Sequence, residues 1–494
     1  MVHIYTPVIA PRTLYALRVI FRDHLQIPYR VSSDTVAWRR AEGPKINYST
    51  ENLPDALRIT PSGILEETYV RGGTPAADPL QNVPLHPLWE ATEGSFSDWE
   101  DARRGPHAGE GSRDWPFDLF GAVFYLLSRY EEYLPGAVFD PMDRFDYTSS
   151  WAYRQGCLDR PLVDEWIEAF REQWLQPALE AAGGSEMTTG EAAEAGASLG
   201  TGATVTAAMG GSEKAGEPEH SFIFSPTYDI DLAWCYRHKG IFRTLLSLAH
   251  SILRGNIKQL VERWKVWTYK LPDPFNNYDW MDELHEAHPV DPIYFFPAGR
   301  ALNAYDKNHS PRNKAYKALI RRHAARYPVG IHPSFYSDGR GRLKKEKSRL
   351  SAITGKPVTL SRFHFIRFRL PGSYRLLLEN GITTDYSMGY GHINGFRASY
   401  SRPFPWYDLE KERETSLQVV PFCFMEATSY YEQQQTPQAT KAELERYIYA
   451  LRAVNGRLTT IWHNSSLNDS PHWIGWRSIY HDLFHKVHPP TRSI

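Results

Sequence analysis

From about residue 221 onward, short apolar runs alternate with longer helix-periodic stretches, and this alternation constrains the fold more than any other feature. The runs are Phe222–Tyr228, Ile293–Phe296, Val329–His332, Phe363–Phe368, Ile382–Asp385, Val419–Phe424 and Thr459–Trp462. Between several of them lie Ile241–Val266, Pro311–Tyr327, Leu343–Ile353, Gly372–Asn380 and Lys441–Val454. Strands separated by helices pair in parallel, because a parallel neighbour needs a crossover of a dozen or more residues. About seven such strands predict an α/β fold, a distorted (β/α) barrel over residues 221–494.

Ahead of this region, residues 183–220 change character. Small, polar and acidic residues dominate, with almost nothing large enough to bury. Such a segment cannot repay the entropy of ordering, and it reads as a flexible low-complexity linker. Residues 1–182 then form a separate mixed α/β domain with no assignable role. Its helix-periodic stretches are Phe117–Tyr133 and Val163–Leu179. Asp140, Asp143 and Asp146 have neither the turn glycine nor the closing glutamate of a calcium loop, so a solvated turn is expected there.

Charge and cysteine usage exclude several classes. A formal net charge of -1 argues against nucleic acid, which calls for a basic excess on at least one domain. The basic run Arg340–Arg349 is interrupted by Glu346 and reads as a solvated helix face. Cys157, Cys235 and Cys423 form no CxxC pair, give no zinc–thiolate site and suit a reducing compartment. Neither a signal peptide at Met1–Pro7 nor an apolar run of about 18 residues is visible, so the default expectation is a cytoplasmic protein without a membrane span. Oligomeric state leaves no mark on the sequence.

Four of the strand-like runs carry groups capable of hydrolytic chemistry. The first ends in Tyr228-Asp229-Ile230-Asp231. Carboxylates two apart on an extended chain project to one side. They read as a metal ligand beside a general base, as the Asp-x-Asp metal–nucleotide site of a glycosyltransferase, or as a helix N-cap. His332 stands where Pro333 ends a strand, and is either a hydrogen-bonded structural histidine or a ligand of zinc or a similar divalent ion. Within Arg362-Phe363-His364-Phe365-Ile366-Arg367, alternation turns Arg362, His364 and Ile366 to one face. His364 is then a third ligand or a polar interior residue. His463, at the end of the last strand and followed by Asn464-Ser465-Ser466, is placed to deliver a proton. Asp385 and Arg397 either orient a catalytic partner, bind substrate or belong to salt bridges.

On these residues the C-terminal part, a little over half of the chain, resembles the polysaccharide deacetylase (NodB-homology carbohydrate esterase) family. Thr227-Tyr228-Asp229-Ile230-Asp231 is similar to that family's Thr-Phe-Asp-Asp-Gly motif, Gly330-Ile331-His332-Pro333-Ser334 to its metal-histidine motif, and Leu458–His463 to its Leu-x-His motif. Arg369-Leu370-Pro371 and Gly395-Phe396-Arg397 both resemble its arginine motif. The resemblance implies a metal-dependent hydrolase that removes N- or O-linked acetyl groups from a carbohydrate. It implies Asp229 as base, Asp231 and His332 as ligands of a divalent ion, zinc by preference, and His463 as acid, with Arg397 steadying the base and Asp385 orienting His463. The chain departs from the family in two places: Ile230 separates the aspartates, and position 336, where a second histidine is usual, is Tyr. His364 is the candidate replacement ligand. A degenerate glycan- or partner-binding protein of the same fold, and the Asp-x-Asp glycosyltransferase, are the alternatives.

Overall fold

The computed structural model describes residues 1–69, 73, 75, 78–85, 114–183, 204–207, 221–300, 303–339 and 341–488. The chain forms two compact units that do not divide at a single point. The first holds Met1–Phe139, Thr148–Ser221 and Ala398–Ser416, and the second Asp140–Tyr147, Phe222–Arg397 and Leu417–Ile494.

The first unit is built on a five-stranded sheet of β1 (Val2–Tyr5), β2 (Tyr29–Ser32), β3 (Lys45–Asn47), β4 (Leu57–Arg58) and β5 (Thr204–Ala207), in the order β4-β3-β1-β2-β5. The pairings of β1 with β2 and β3, and of β3 with β4, are parallel, and β5 is antiparallel to β2. Every residue of β1 is buried, as befits a central strand of a parallel sheet. Helix Leu119–Leu127 is buried on all sides and starts at Asp118, which accepts the Gly121 N–H at 2.9 Å. The late segment 398–416 joins this unit through long-range polar contacts. Asp164 accepts the Ser401 N–H and hydroxyl at 2.8 and 2.9 Å, and Arg12 pairs with Glu412 at 2.5 Å. Within the expected linker, Thr204-Val205-Thr206-Ala207 is ordered as β5, in keeping with its β-branched residues. Apart from Gly183, the rest of 183–220 that precedes Ser221 lies outside the described residues.

The second sheet uses β6 (Ile223–Asp229), β7 (Ile293–Phe296), β8 (Val329–Ile331), β9 (Leu360–Ser361), β10 (Thr384–Met388), β11 (Phe404–Asp408), β12 (Arg413–Pro421), β13 (Phe424–Met425) and β14 (Arg457–His463). Its order is β11-β12-β10-β9-β8-β7-β6-β14-β13, and β12 passes from the last segment of the first unit into the second. From β12 to β13 the pairings are parallel. The expected parallel α/β architecture is therefore present, and among the described residues the strand order is open, with β11 and β13 at its two edges. Register sets His463 opposite Asp229, Asp229 opposite Phe295 and Phe295 opposite Gly330. The carboxyl ends of β14, β6, β7 and β8 thus share one edge, where α/β sheets collect their functional loops.

Two local expectations differ from the structure. Phe363–Phe368 is not a strand: β9 stops at Ser361, and a short 3₁₀ turn, His364–Ile366, follows with Phe365 and Ile366 at φ +58° and +56°. Ile241–Val266 is two helices, Ile241–Leu253 and Ile257–Trp267, broken at Gly255 (φ +61°) and restarted by Asn256, whose side chain caps Gln259. The basic run lies on helix Arg342–Thr354, where Arg342, Lys344 and Lys345 are exposed as expected of a solvated face, while Glu346 turns inward and accepts the Ser334 N–H at 3.0 Å and its hydroxyl at 2.5 Å, so this helix buttresses the loop after His332. The three cysteines are free, and no helix among the described residues is long and apolar enough to cross a membrane.

Candidate metal centre

β6 ends at Asp229, and Ile230 N–H still bonds the Phe295 carbonyl at 3.0 Å, so Asp231 is the first side chain to leave the sheet edge. The two aspartates take different partners. Asp229 is buried and ion-paired to Arg362 at 3.2 Å. The same guanidinium donates to the Thr227 hydroxyl at 2.7 Å and to the Tyr386 carbonyl at 3.0 Å. Asp231, about a third exposed, faces three imidazoles instead.

Each imidazole is anchored through Nδ1, which leaves Nε2 for the site. His332 Nδ1 lies 2.7 Å from the Arg362 carbonyl, His364 Nδ1 lies 3.1 Å from Asp306 Oδ1, and His463 Nδ1 lies 2.8 Å from Glu426 Oε1. A carbonyl or carboxylate can only accept, so Nδ1 carries a proton in all three and Nε2 is left to face the site, able to offer a lone pair to an ion when the ring is neutral or a proton when it is charged. Nε2 of His332, His364 and His463 stands 3.1, 3.5 and 3.8 Å from the Asp231 carboxylate. Asp231, His332 and His364 each offer one ligand atom within 4.8 Å of the others. Donors held at the usual zinc distances in a tetrahedron lie about 3.4 Å apart, so the two Asp231–imidazole spacings suit one shared ion. Carboxylate oxygen plus two imidazole nitrogens is also a donor set zinc accepts, and anchored Nδ1 atoms are the usual outer support of metal-ligating histidines.

The electrostatics show how strongly these groups need a partner. Burial alone would raise the Asp231 carboxyl, but His364 and His332 outweigh it and hold it well below the usual carboxylate range. Burial would lower His364, yet Asp231 and Asp306 push it up to about 9. His463 is likewise opposed by burial and pushed up to about 10, chiefly by Glu426.

Two expected residues lie elsewhere. Arg397 is buried 4.2 Å from the Phe368 ring and donates to the Gly389 carbonyl at 3.3 Å, so Arg362 and not Arg397 holds Asp229. Asp385 accepts the Ser361 hydroxyl at 2.7 Å and the Ser387 N–H at 2.9 Å, so Glu426 and not Asp385 holds His463. Arg369 pairs with Asp143 at 3.1 Å and takes no part in the centre. Glu426 carried a readable signal: like Asp229 it follows an apolar run, Phe422-Cys423-Phe424-Met425. Arg362 and Asp306 had none beyond their charge.

Beside His364 is a group of aromatic rings. Tyr305 and Phe335 stack at 3.9 Å, Phe365 lies 5.9 Å from both, and the Phe365 and Tyr336 rings are partly exposed.

Comparison with known proteins gives one family match and several loose overlaps with solved structures. Residues 2–178 match a family of unknown function, DUF7033. No curated protein matches the chain. Among solved structures it is similar to a protein described as a polysaccharide deacetylase from Mycobacterium smegmatis, at 14% identity and TM-score 0.34, covering 54% of this chain and 84% of that one. It is also similar to a 4-alpha-glucanotransferase from Thermococcus litoralis (14% identity, TM-score 0.31, 54% and 37% covered). A polysaccharide deacetylase from Bacillus cereus overlaps at 10% identity and TM-score 0.27, covering 53% of this chain and 87% of that chain. Overlaps this loose fix neither fold identity nor activity.

Proposed function

We propose that the second unit is a metal-dependent hydrolase that removes acetyl groups, N- or O-linked, from a carbohydrate. The observation that carries the reading is the convergence of three Nδ1-anchored imidazoles on the Asp231 carboxylate. Asp231, His332 and His364 would hold a divalent ion, zinc by its donor preference. Bound there, the ion supplies Lewis acidity toward an acyl carbonyl and lowers the pKa of water.

The remaining groups divide the proton traffic. Arg362 pairs with the buried Asp229 carboxylate and fixes its position, which suits a base that must accept a proton without relocating. Glu426 receives the His463 N–H, its ring Nδ1–H and the Ser466 hydroxyl, fixing the ring so that Nε2 can protonate a departing amine or alcohol. Phe365 and Tyr336 offer flat apolar faces next to the ligands, a surface on which a sugar ring can stack.

The test is acetyl release from acetylated oligosaccharides by the full chain, before and after chelation. Loss of release on chelation, recovery with zinc, and loss in Asp231→Ala or His332→Ala support the proposal; release undiminished by chelation sinks it. The degenerate, glycan-binding alternative rests on Tyr336 standing where a second motif histidine would be. It predicts carbohydrate binding with no stoichiometric metal in the purified protein. The glycosyltransferase alternative loses ground, because Asp229 is committed to Arg362 and does not face a ligand jointly with Asp231.

A further inference from the structure

Helices Ile241–Leu253 and Ile257–Trp267 lie between β6 and helix Tyr278–Ala287, and they combine basic charge with exposed apolar side chains. From Arg237 to Leu271 there are eight Lys or Arg and one acidic residue, Glu262, within a protein whose net charge is -1. The same insertion leaves large apolar side chains in water. Leu253 is 85% exposed, Ile257 69% and Trp264 51%, with Leu245, Ile252 and Val261 also exposed. Ile257, Val261 and Trp264 are spaced i, i+4, i+7, so they make one outward stripe, while Arg263 and Val266 turn inward. A merely solvated helix face would not carry that stripe.

Cations flank it. Lys258 and Lys265 are exposed on the second helix, Lys270 Nζ sits 4.4 Å from the Trp264 ring, and the Arg237 guanidinium sits 3.9 Å from the exposed Tyr269 ring. Apolar side chains with Trp and Tyr at the margin and basic residues around them match the layering of an anionic bilayer surface, hydrocarbon below and phosphate above. The helices have 13 and 11 residues, about 20 and 17 Å at the usual rise. Neither reaches across a hydrocarbon core of about 30 Å, so the geometry is that of an element lying in the interface. A second copy of the chain is a poor occupant, because it would bring the same positive charge to the same face.

We propose that this helical insertion docks the protein on anionic lipid surfaces, with the Ile257–Val261–Trp264 stripe entering the interface and the flanking Lys and Arg side chains meeting headgroup phosphates. The proposal stands independently of the hydrolase reading, since its residues are distinct from the metal centre. It has one functional consequence: Arg237 follows Asp231 by six residues, so docking would tether the chain beside the centre to the membrane surface.

The test is flotation of the full chain with vesicles of phosphatidylcholine alone or with a third of the lipid replaced by phosphatidylserine. The expected result is co-flotation with the anionic vesicles at low salt and its loss at high salt. Lys258→Gln/Lys265→Gln should cut the partition about twenty-five-fold, two charges at roughly fivefold each. Ile257→Ser/Trp264→Ser should abolish it with the melting temperature unchanged. Absence of flotation on anionic vesicles, equal flotation on neutral ones, or flotation untouched by both variants overturns the proposal. So does a dimer in sedimentation that Ile257→Ser/Trp264→Ser dissociates while no vesicle binding is seen.

Discussion

Gly330→Ala tests whether packing beneath the centre is as tight as the structure shows. Gly330 lies in β8 opposite Phe295. A Cβ at this position would meet Phe295 Cε1 at 2.4 Å, Cδ1 at 2.5 Å and Leu360 Cβ at 3.1 Å. Phe295 is fully buried, so its ring has no solvent to move into. It also lies 4.6 Å from the Arg362 guanidinium that holds Asp229. Overpacking of this kind costs about 1–3 kcal/mol. At about 2–4 °C per kcal/mol for a unit of this size, the variant should melt about 5 °C lower. Because the displaced ring bears on the Arg362 guanidinium that pairs with Asp229, acetyl release should fall as well. Gly339→Ala is the control, since its Cβ approaches nothing closer than 3.4 Å. Differential scanning calorimetry decides the matter: if Gly330→Ala melts with the parent and the control, the packing argument is wrong.

Chelation should lower the melting temperature of the second unit, since an ion at a thousand times its Kd contributes about 4 kcal/mol, and titrating zinc back should restore it. Glu426→Gln removes the charge that pushes His463 up to about 10, so the alkaline limb of the rate profile should move to lower pH. Its rate should drop about tenfold to a hundredfold, as for other outer-shell partners, and an unmoved limb would separate Glu426 from the acid. His285 and His323, both buried, are pushed down to about 3 and about 4 by desolvation and stay neutral in the fold. Below pH 6.5 the unfolded chain binds protons there that the folded chain does not, so stability is full above 6.5 and is lost as pH falls toward 4. The loss is about 3 kcal/mol per pH unit for the pair, read as a falling midpoint in urea melts; a flat midpoint between pH 6.5 and 5 would refute it.

The parts of the centre that were legible in the sequence sit at strand ends, where local pattern and chemistry coincide. Asp229 and His463 end β6 and β14 and lie opposite one another in register, so reading two strands correctly brought two side chains together. His332 was legible for the same reason, with Pro333 marking the stop. His364 is a candidate ligand that the sequence pattern places on a strand, whereas the structure places it on a turn. Its aromatic and β-branched neighbours favour a strand, but β9 ends at Ser361 and the chain turns through Phe365 and Ile366 at positive φ. The break at Gly255-Asn256 was visible in principle as a helix stop followed by a cap. The assignment of 398–416 to the first unit was not, since Asp164–Ser401 and Arg12–Glu412 link residues hundreds of positions apart without any periodic signal.

The residues that hold the functional groups in place were the least legible, and the reason is general. A group at or just past a strand end, as Asp229, His332 and His463 are, has its type and position both constrained by sequence pattern. Its support need only present a carboxylate or a carbonyl at hydrogen-bond distance, and any loop can supply that. Arg362 contributes its guanidinium to Asp229 and its carbonyl to His332 Nδ1, so one residue positions the proposed base through its side chain and a proposed ligand through its backbone. Arg362→Ala would therefore leave the His332 anchor formally intact while stranding a buried, unpaired Asp229 carboxylate. Its effect should fall on the pH dependence of turnover before it falls on metal binding, and a variant that lost zinc first would show that the guanidinium, not the carbonyl, shapes the ligand set.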